Sequence, residues 1–517
     1  MTISLAALAE LIPVGTRRLT DDAGAAAVLV SEISLDSTTL PEGGLFAAVP
    51  GTRTHGAAFA ANTPAAAILT DEAGWEILTR SGETRPVLIV DDVRDVLGTV
   101  SAAIYGHPSR ELTLIGVTGT SGKTTTSYLL EAGIMAAGHK VGLIGTTGSR
   151  IDGKFVPTKL TTPEAPTLQA LFRRMVEEGV THVVMEVSSH ALSLGRVNGS
   201  EFDVAAFTNL SQDHLDFHPT MTDYFEAKAL FFRPESPVAA KRAVICVDDE
   251  WGRRMAEVAE EPVTVSTRGT AAQIVAEEPH VNPAGAQTFN VNRDNDRFVT
   301  VSLPLPGRFN VANATVALAA AVTAGIKAER FVSGLRKVAV PGRMERIDGG
   351  QNFIAVVDYA HKPAAVAAVL DTLRGQVDGR VGVVVGAGGN RDATKRPIMG
   401  AESARRADLV IITDDNPRDE EPGPIRAAVM AGAREAAQEL DNPPEIREIA
   451  DRSTAIVELI RWARPGDAVV VAGKGHEVGQ LVKGVNHHFD DREQVRRALA
   501  DSMVTSRCAT RTPEELA

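Results

Sequence analysis

The chain has 517 residues, 44% of them apolar and 23% charged, with a formal net charge of −13. A length of this order suggests about three domains, and the acidic balance excludes broad non-specific binding to nucleic acid or an anionic membrane, while leaving room for a local basic pocket that takes an anionic ligand. Only Cys246 and Cys508 are present, so no disulfide framework is implied. Met1–Leu5 has no basic segment before an apolar core, and no apolar run approaches the ~18 residues of a membrane span. The expectation is a soluble cytoplasmic protein, without nucleic-acid or membrane partners.

The first block, 1–105, carries short apolar segments at Ala26–Val30, Leu45–Val49, Ala67–Leu69 and Val87–Val90. They read as strands of a small α/β domain. The second block, 106–340, opens with the strand-like Leu112–Ile115 and then Gly116-Val117-Thr118-Gly119-Thr120-Ser121-Gly122-Lys123-Thr124-Thr125-Thr126. A strand, a glycine-rich turn and a helix starting near Lys123 form a phosphate-binding loop. Backbone N–H groups and the helix N-terminus face the anion. Lys123 reaches the terminal phosphates, and the Thr124 hydroxyl sits on a magnesium ion. Val117 stands where the longer form of the motif has its first glycine, so this is the shorter form starting at Gly119. The chain is expected to bind ATP or GTP.

Strands are predicted at Val141–Ile144, His182–Val187, Val204–Thr208 and Ala243–Val247, alternating with helices, which argues for a mostly parallel covered sheet. Glu186 interrupts the apolar run of its strand. A carboxylate there is costly unless paired or bound to a cation, and magnesium or a buried ion pair would each answer that need. The segment Thr208–His218 packs Asp213, His214, Asp216 and His218 together; by composition it reads as a solvated loop at Asp216 and His218. Lys228, in an apolar helical segment, reads from spacing as a snorkelling lysine. Thr288–Val291 and Phe298–Leu303 read as a hairpin with a longer polar loop, followed by a helix at Ala312–Ala324.

Pro341-Gly342 marks the third block, 341–517. Strands are predicted at Ile354–Val357, Val381–Val385, Leu409–Ile412 and Ala468–Val471. Each ends in a polar or glycine-rich cluster: Asp358–His361, Gly386–Arg391, Asp414–Arg418 and Gly473–Glu477. In open α/β sheets ligands bind beyond the carboxyl ends of the strands, so four such ends mark a binding face.

Taken together, the phosphate loop, Met185–His190, Thr208–Asp216, Glu226-Ala227-Lys228, Phe309-Asn310 with Asn313, Gly342–Glu345, Asp358–His361 and Gly473–Glu477 resemble the Mur ligases. The likeness is strongest to those that add the third peptide residue to UDP-N-acetylmuramoyl-L-alanyl-D-glutamate. It implies an α/β fold of three domains: a small N-terminal α/β domain for the uridine nucleotide (1–105), a central P-loop ATPase-like domain with a parallel sheet (106–340), and a Rossmann-like C-terminal domain for the amino acid (341–517). It also implies an ATP-dependent amide-forming enzyme of peptidoglycan-precursor synthesis, acting through an acyl phosphate with Mg2+.

Carried over by motif, ATP would meet Gly119, Thr120, Ser121, Gly122, Lys123, Thr124, Thr125, Asn313, Arg343 and Asp358. Thr124, Glu186, His214 and a carbamylated Lys228 would serve magnesium, with Lys123, Lys228 and His214 catalytic. A carbamate offers anionic oxygens where an ammonium would repel the metal, which reverses the snorkelling reading. Leu35, Ser37, Thr161, Thr162, Ser188 and Arg196 would contact the UDP-sugar peptide, as would the loop Thr52-Arg53-Thr54. Two positions depart from the family's usual pattern: Thr38, where Arg is common, and Leu194, where Gln is common.

Asp415-Asn416-Pro417-Arg418 is the motif of the members that add meso-diaminopimelate. That amino acid carries a carboxylate at its far end that lysine lacks, and Arg grips a carboxylate with paired hydrogen bonds. Arg391 is placed to assist as the second of a buried arginine pair; Glu477 and the Gly473 carbonyl would take the distal ammonium. The lysine-adding ligase is the alternative. A guanine-nucleotide switch would need an Asn-Lys-x-Asp that the chain lacks, whereas a kinase would need no amine. A monomer is expected.

Overall fold

A computed structural model describes residues 2–13, 17–20, 22–51, 53–282, 285–294 and 296–509. Thr52, Asn295 and the tail beyond Ala509 lie outside them. Three larger sheets follow one another along the chain. The N-terminal sheet has five strands in the order Arg17–Leu19, Val87–Val90, Ala67–Thr70, Leu45–Ala48, Ile33–Ser34. The first pair is antiparallel and the rest parallel. Leu45–Ala48, Ala67–Thr70 and Val87–Val90 are buried along their whole length, as continuous apolar runs in parallel sheets are.

The central sheet has 12 strands. Thr113–Thr118 lies between His182–Glu186 and Val204–Phe207, parallel to both, and the chain has already passed outward to Val141–Gly145 before returning to fill the place beside it. The connection therefore reverses direction at the carboxyl end of Thr113–Thr118, where a crevice opens in sheets of this kind. Helix Lys123–Ala136 starts there and packs in one core with helix Arg308–Thr323, whose Ala-rich interior allows close approach. The C-terminal sheet has six strands, with Ile354–Asp358, Ala468–Ala472, Val381–Val385, Leu409–Ile412 and Glu445–Glu448 parallel and adjacent in that order.

The predicted strand Ala26–Val30 is split: Ala26 and Ala27 end the helix Asp22–Ala27, and only Leu29–Val30 pairs, with Ile3–Ser4. Its alanines favour a helix, and the β-branched end alone finds a partner. The hairpin is tighter than predicted, because Gln287–Arg293 and Asp296–Leu303 pair as far as Arg293 and Asp296. Asp294 takes a left-handed φ of 50°, which a short turn demands and Asp tolerates. Helix Arg308–Thr323 begins a turn earlier than expected, behind Gly307.

Candidate active site

The phosphate loop is pinned from one side by the segment after Val204–Phe207. The Thr120 and Ser121 amides donate to the Asn209 carbonyl and side-chain oxygens at 2.9 and 3.0 Å. Thr208 Oγ1 and Asn209 Nδ2 donate to the Ser121 carbonyl at 2.7 and 3.0 Å. Gly119 is required here: at φ 143° a Cβ would stand 2.0 Å from Thr208 Oγ1. Gly122 likewise, at φ 88°, backs onto Asn313, whose Oδ1 would lie 2.3 Å from an added Cβ. Two of the loop amides expected to face phosphate are thus committed to Asn209. The open donors are the first amides of helix Lys123–Ala136, which includes Thr124 and Thr125, left unpaired by helix geometry. Lys123 Nζ donates to the Gly119 and Thr120 carbonyls at 2.9 and 3.1 Å. Burial, then the neighbouring Lys362, lowers its pKa to about 8.

Beside the loop, Glu186 is 1% exposed. It accepts from Thr124 Oγ1 at 3.1 Å, Thr146 N at 2.9 Å and Thr146 Oγ1 at 3.0 Å, and no cationic side chain pairs with it among the described residues. The buried ion pair offered as an alternative is therefore absent from the described structure. Thr161 Oγ1 lies 3.2 Å from Thr146 Oγ1. Thr162 Oγ1 donates to the Glu186 carbonyl at 2.8 Å and accepts from Ser188 N at 3.1 Å. Ser188 caps helix Ser189–Ser193. Arg196 Nε pairs with Glu164 at 2.9 Å, and Arg94 of the N-terminal block reaches the same carboxylate at 3.4 Å. Leu35 packs on the N-terminal core and Ser37 is half-buried. Between them Asp36 accepts from Thr38 N and Oγ1 at 2.9 and 2.6 Å. Those bonds hold its carboxyl below the usual range, with Lys159 adding to the effect, so Thr38 here organises its own turn.

The C-terminal layer closes over the loop. Arg343 Nη2 donates to Thr124 Oγ1 at 3.2 Å, its guanidinium 4.2 Å from the Tyr359 ring centroid. Asp358 is buried, with both oxygens taken by the Met344 and Ala360 amides at 2.6 and 2.7 Å; it shapes the turn that presents Arg343. Asp213 touches His214 Nε2 at 3.0 Å and Lys362 Nζ at 2.7 Å. Burial first of all drives the His214 pKa down to about 2, leaving a neutral imidazole. Lys228 is 1% exposed. Its Nζ lies 3.1 Å from the Gly119 carbonyl and 4.7 Å from the Tyr224 ring centroid. Burial, then Lys123 and Lys362, holds its pKa far below the ordinary lysine value. A lysine snorkelling to water is not what the structure contains. The solvated-loop expectation fails for His218, which is 4% exposed and bonds Ser189 Oγ at 2.9 Å, and holds for Asp216, which is exposed and meets the exposed Arg391 at 3.4 Å. Tertiary packing buries Asp213 and His218 in a segment that otherwise keeps Gln212, Asp216 and Phe217 exposed.

A cavity of about 170 Å³ separates the two layers, with Asp213 and His214 on one wall and Arg391, Asp415, Arg418 and Glu477 on the other. Gly473 and Asn416 also line it; Pro417 is buried behind, its carbonyl 1.9 Å from where a Cβ on Gly389 would stand. Glu477 accepts from Tyr359 Oη and Asn416 Nδ2, both at 3.1 Å. Burial and the nearby Asp415 raise its pKa. Arg418 Nη1 donates to the Gly389 carbonyl at 2.6 Å. The expected buried arginine pair is half right: Arg418 is partly buried, but the Arg391 side chain is 52% exposed and engaged with Asp216.

The Mur ligase middle-domain family model matches residues 117–321, and the Mur ligase glutamate-ligase-domain model matches 342–475. The chain is 68% identical over 478 residues to the UDP-N-acetylmuramoyl-L-alanyl-D-glutamate--2,6-diaminopimelate ligase of Corynebacterium glutamicum, covering 92% of each chain. The chain belongs to the Mur ligase family. It is 48% identical to the ligase of the same name from Streptomyces avermitilis, over 91% of this chain and 92% of that one. A solved structure of a ligase of that name superposes with a TM-score of 0.67 at 33% identity, over 97% of this chain and 100% of that one. A Thermotoga maritima MurF ligase in complex with ADP shares the fold, with a TM-score of 0.63 at 18% identity over 92% and 99% of the two chains.

This Mur ligase is therefore an enzyme of the ATP-dependent class, with the α/β fold of its relatives. Sequence reading did not single out Asn209, Thr146, Lys362, Lys395 or Lys474 as site residues. A lysine after Asp358–His361 carries no signal of its own; only the packing of two layers brings Lys362 to the phosphate loop. Among the described residues no helix is long and apolar enough to cross a membrane.

Proposed function

We propose that this ligase joins meso-diaminopimelate to UDP-N-acetylmuramoyl-L-alanyl-D-glutamate with ATP, in the cytoplasm and as a monomer. The observation that carries the reading is the interlayer cavity: Arg418 faces it together with the carboxylates Asp415 and Glu477, opposite Asp213 and His214. An amino acid with an ammonium and a carboxylate at the same end fits that pattern of charge.

In the proposed reaction a carboxylate oxygen of the dipeptide attacks the terminal phosphorus of ATP. ADP leaves, and the amine then attacks the acyl phosphate to give amide, phosphate and a proton. Lys123 and Arg343 converge on the phosphate loop and neutralise charge on the transferring group, where positioning and electrostatics do most of the work. The 1–105 block, with Leu35 and Ser37, and the central residues Thr161, Thr162, Ser188 and Arg196 hold the UDP-linked peptide. Block 106–340 takes ATP and 341–517 the amino acid.

No group of three or more His, Cys, Asp and Glu side chains is arranged to hold a metal ion by itself among the described residues. Magnesium binds through one or two carboxylates plus substrate phosphates and water. The unpaired Glu186 with Thr124, the neutral His214 and a carbamylated Lys228 fit as its holders. When bound, the ion supplies charge neutralisation at the phosphates. The test is phosphate release with the UDP-linked dipeptide, ATP, magnesium and either meso-diaminopimelate or L-lysine, with product masses. Release dependent on diaminopimelate, with the matching tripeptide mass, is expected. Turnover with lysine alone would make this the lysine-adding ligase, and release without any amine would overturn the reading.

A further inference from the structure

Lys362 occupies a position that its local structure disfavours. It is the N-cap of helix Pro363–Arg374 and makes no side-chain cap. Lysine has no acceptor with which to cap helix amides, and its charge meets the positive end of the helix dipole. Its side chain is also 9% exposed, although a lysine free to do so keeps its ammonium in water. What it gains lies in the other layer. Nζ donates to the Thr120 carbonyl at 3.0 Å and pairs with Asp213 at 2.7 Å, that carboxylate being 7% exposed.

Both partners are at the centre of the site. The Thr120 carbonyl also accepts from Lys123 at 3.1 Å, so two ammonium groups share one oxygen. Thr120 Oγ1 meets Ser211 N and Tyr224 Oη at 3.0 and 3.2 Å, and Asp213 reaches His214 at 3.0 Å. An arriving polyphosphate would draw Lys123 off that carbonyl and leave Lys362 as its donor. One side chain from the C-terminal block thereby contacts the phosphate loop and the 209–216 segment at once.

We propose that Lys362 is a positioning residue that locks the C-terminal layer onto the phosphate loop, so that closure, the phosphate site and the wall of the amino-acid cavity form in one step. The proposal rests on the ligase reading above for its kinetic part and on geometry alone for the lock.

The test uses the full chain with Lys362→Met, which keeps the length and removes the charge, and Lys362→Arg, which keeps the charge. Amine-dependent phosphate release is measured alongside small-angle scattering with a non-hydrolysable ATP analogue and magnesium. For Lys362→Met, kcat should fall on the order of 100-fold, because a buried partner is left unpaired and closure is no longer held. KM for the UDP-linked dipeptide, held by the other two layers, should stay within about twofold, as expected when a transition-state arrangement rather than ground-state binding is lost. With nucleotide the Met variant should remain more extended than the wild type, and Lys362→Arg should recover much of both effects. Wild-type compaction with wild-type kcat in Lys362→Met would overturn the lock, as would equal losses in every KM. Should Lys362→Met fail to fold, Asp213→Asn removes the same ion pair from the other layer and is read in the same way. If the wild type itself shows no amine-dependent release, the ligase reading falls, and the scattering comparison still decides the lock.

Discussion

Removing the guanidinium of Arg418 isolates the contact proposed to recognise the distal carboxylate. The backbone at this position is held independently of the side chain. Its φ is 53°, its N–H donates to the Leu481 carbonyl at 2.9 Å, and its own carbonyl accepts from Lys483 N at 2.6 Å. Arg418→Ala should therefore delete the cation and its bond to the Gly389 carbonyl without moving the loop. One lost charge-assisted contact costs about 1.5–3 kcal/mol, which at ~1.4 kcal/mol per decade is roughly 10- to 150-fold. The assay is steady-state phosphate release with diaminopimelate and ATP varied in turn. KM for diaminopimelate should rise by that factor and KM for ATP should stay within about twofold, since ATP is held at the other side of the cavity. Preference for diaminopimelate over lysine should shrink in parallel. Equal rises in both KM values, or an unchanged preference, would refute the assignment.

Glu186→Gln should lower kcat by about 100-fold or more with an unchanged melting temperature, because it removes the carboxylate proposed for magnesium while keeping its shape; a magnesium titration shifted to higher concentration distinguishes this from misfolding. Arg452→Met breaks an ion pair with Asp491 in which both side chains are 0% exposed, and should cost about 3–5 kcal/mol in denaturant melts. Because Arg452 also holds the Ala472 carbonyl at 2.9 Å, KM for the amino acid should rise too. Burial holds the His182 pKa down at about 4. Its unfolded form binds a proton below about 6.5, so stability from its neutral form is complete above that pH and is lost as pH falls toward 4. The loss is about 1–3 kcal/mol, and His182→Gln should flatten the pH dependence of unfolding in that window; an unchanged profile would contradict it. Lys228 should appear in intact-mass spectra at mild pH with the mass of one added CO2 that acid removes. Lys228→Met should abolish the adduct and most of kcat, and an adduct that persists in this variant would place it elsewhere.

The parts of the fold legible in the sequence are those in which local pattern and tertiary role coincide. Val381–Val385 and Leu409–Ile412 have the predicted bounds because a strand buried on both faces must be apolar throughout. The helix start at Lys123 was legible because only glycine fits Gly119 and Gly122. What was not legible depends on one layer meeting another. The exposed Arg391 was misjudged because composition does not say which polar loop another layer will cover, and the buried His218 because it does not show that Ser189 and Tyr224 of the same block enclose it. Asn209 looked like part of a motif without a task, yet it consumes two loop amides. Lys362 matches no pattern at all. Ala26–Val30 departs at its first end for a different reason: Ala26 and Ala27 are compatible with either structure, and helix propensity decided there, while Leu29–Val30 is the strand expected.

Under the proposed function, the charge pattern of the cavity would let one pocket both orient the amino acid and refuse lysine. Burial, then the neighbouring Asp415, raises the Glu477 pKa, and the fully buried cations beside them are already engaged: Lys474 with the Asn416 and Gly479 oxygens at 2.8 and 2.7 Å and Asp415 at 3.9 Å, and Arg452 with Asp491 at 2.7 Å. An incoming ammonium would offset the charge of the two carboxylates. Arg418 stands at the same end with, among the described residues, a single carbonyl as its side-chain hydrogen-bond partner, so the proposed substrate would bring ammonium and carboxylate together on one carbon. Diaminopimelate brings both at its far end and lysine brings only the ammonium. A lysine bound there would leave the guanidinium desolvated without an anion, a penalty of the kind that discriminates by mispairing rather than by lost contact. With that end fixed, the other amine is directed across the cavity to the wall of Asp213 and His214, the side on which the acyl phosphate would form. On that proposal, specificity and reactive orientation would follow from the same pair of charges.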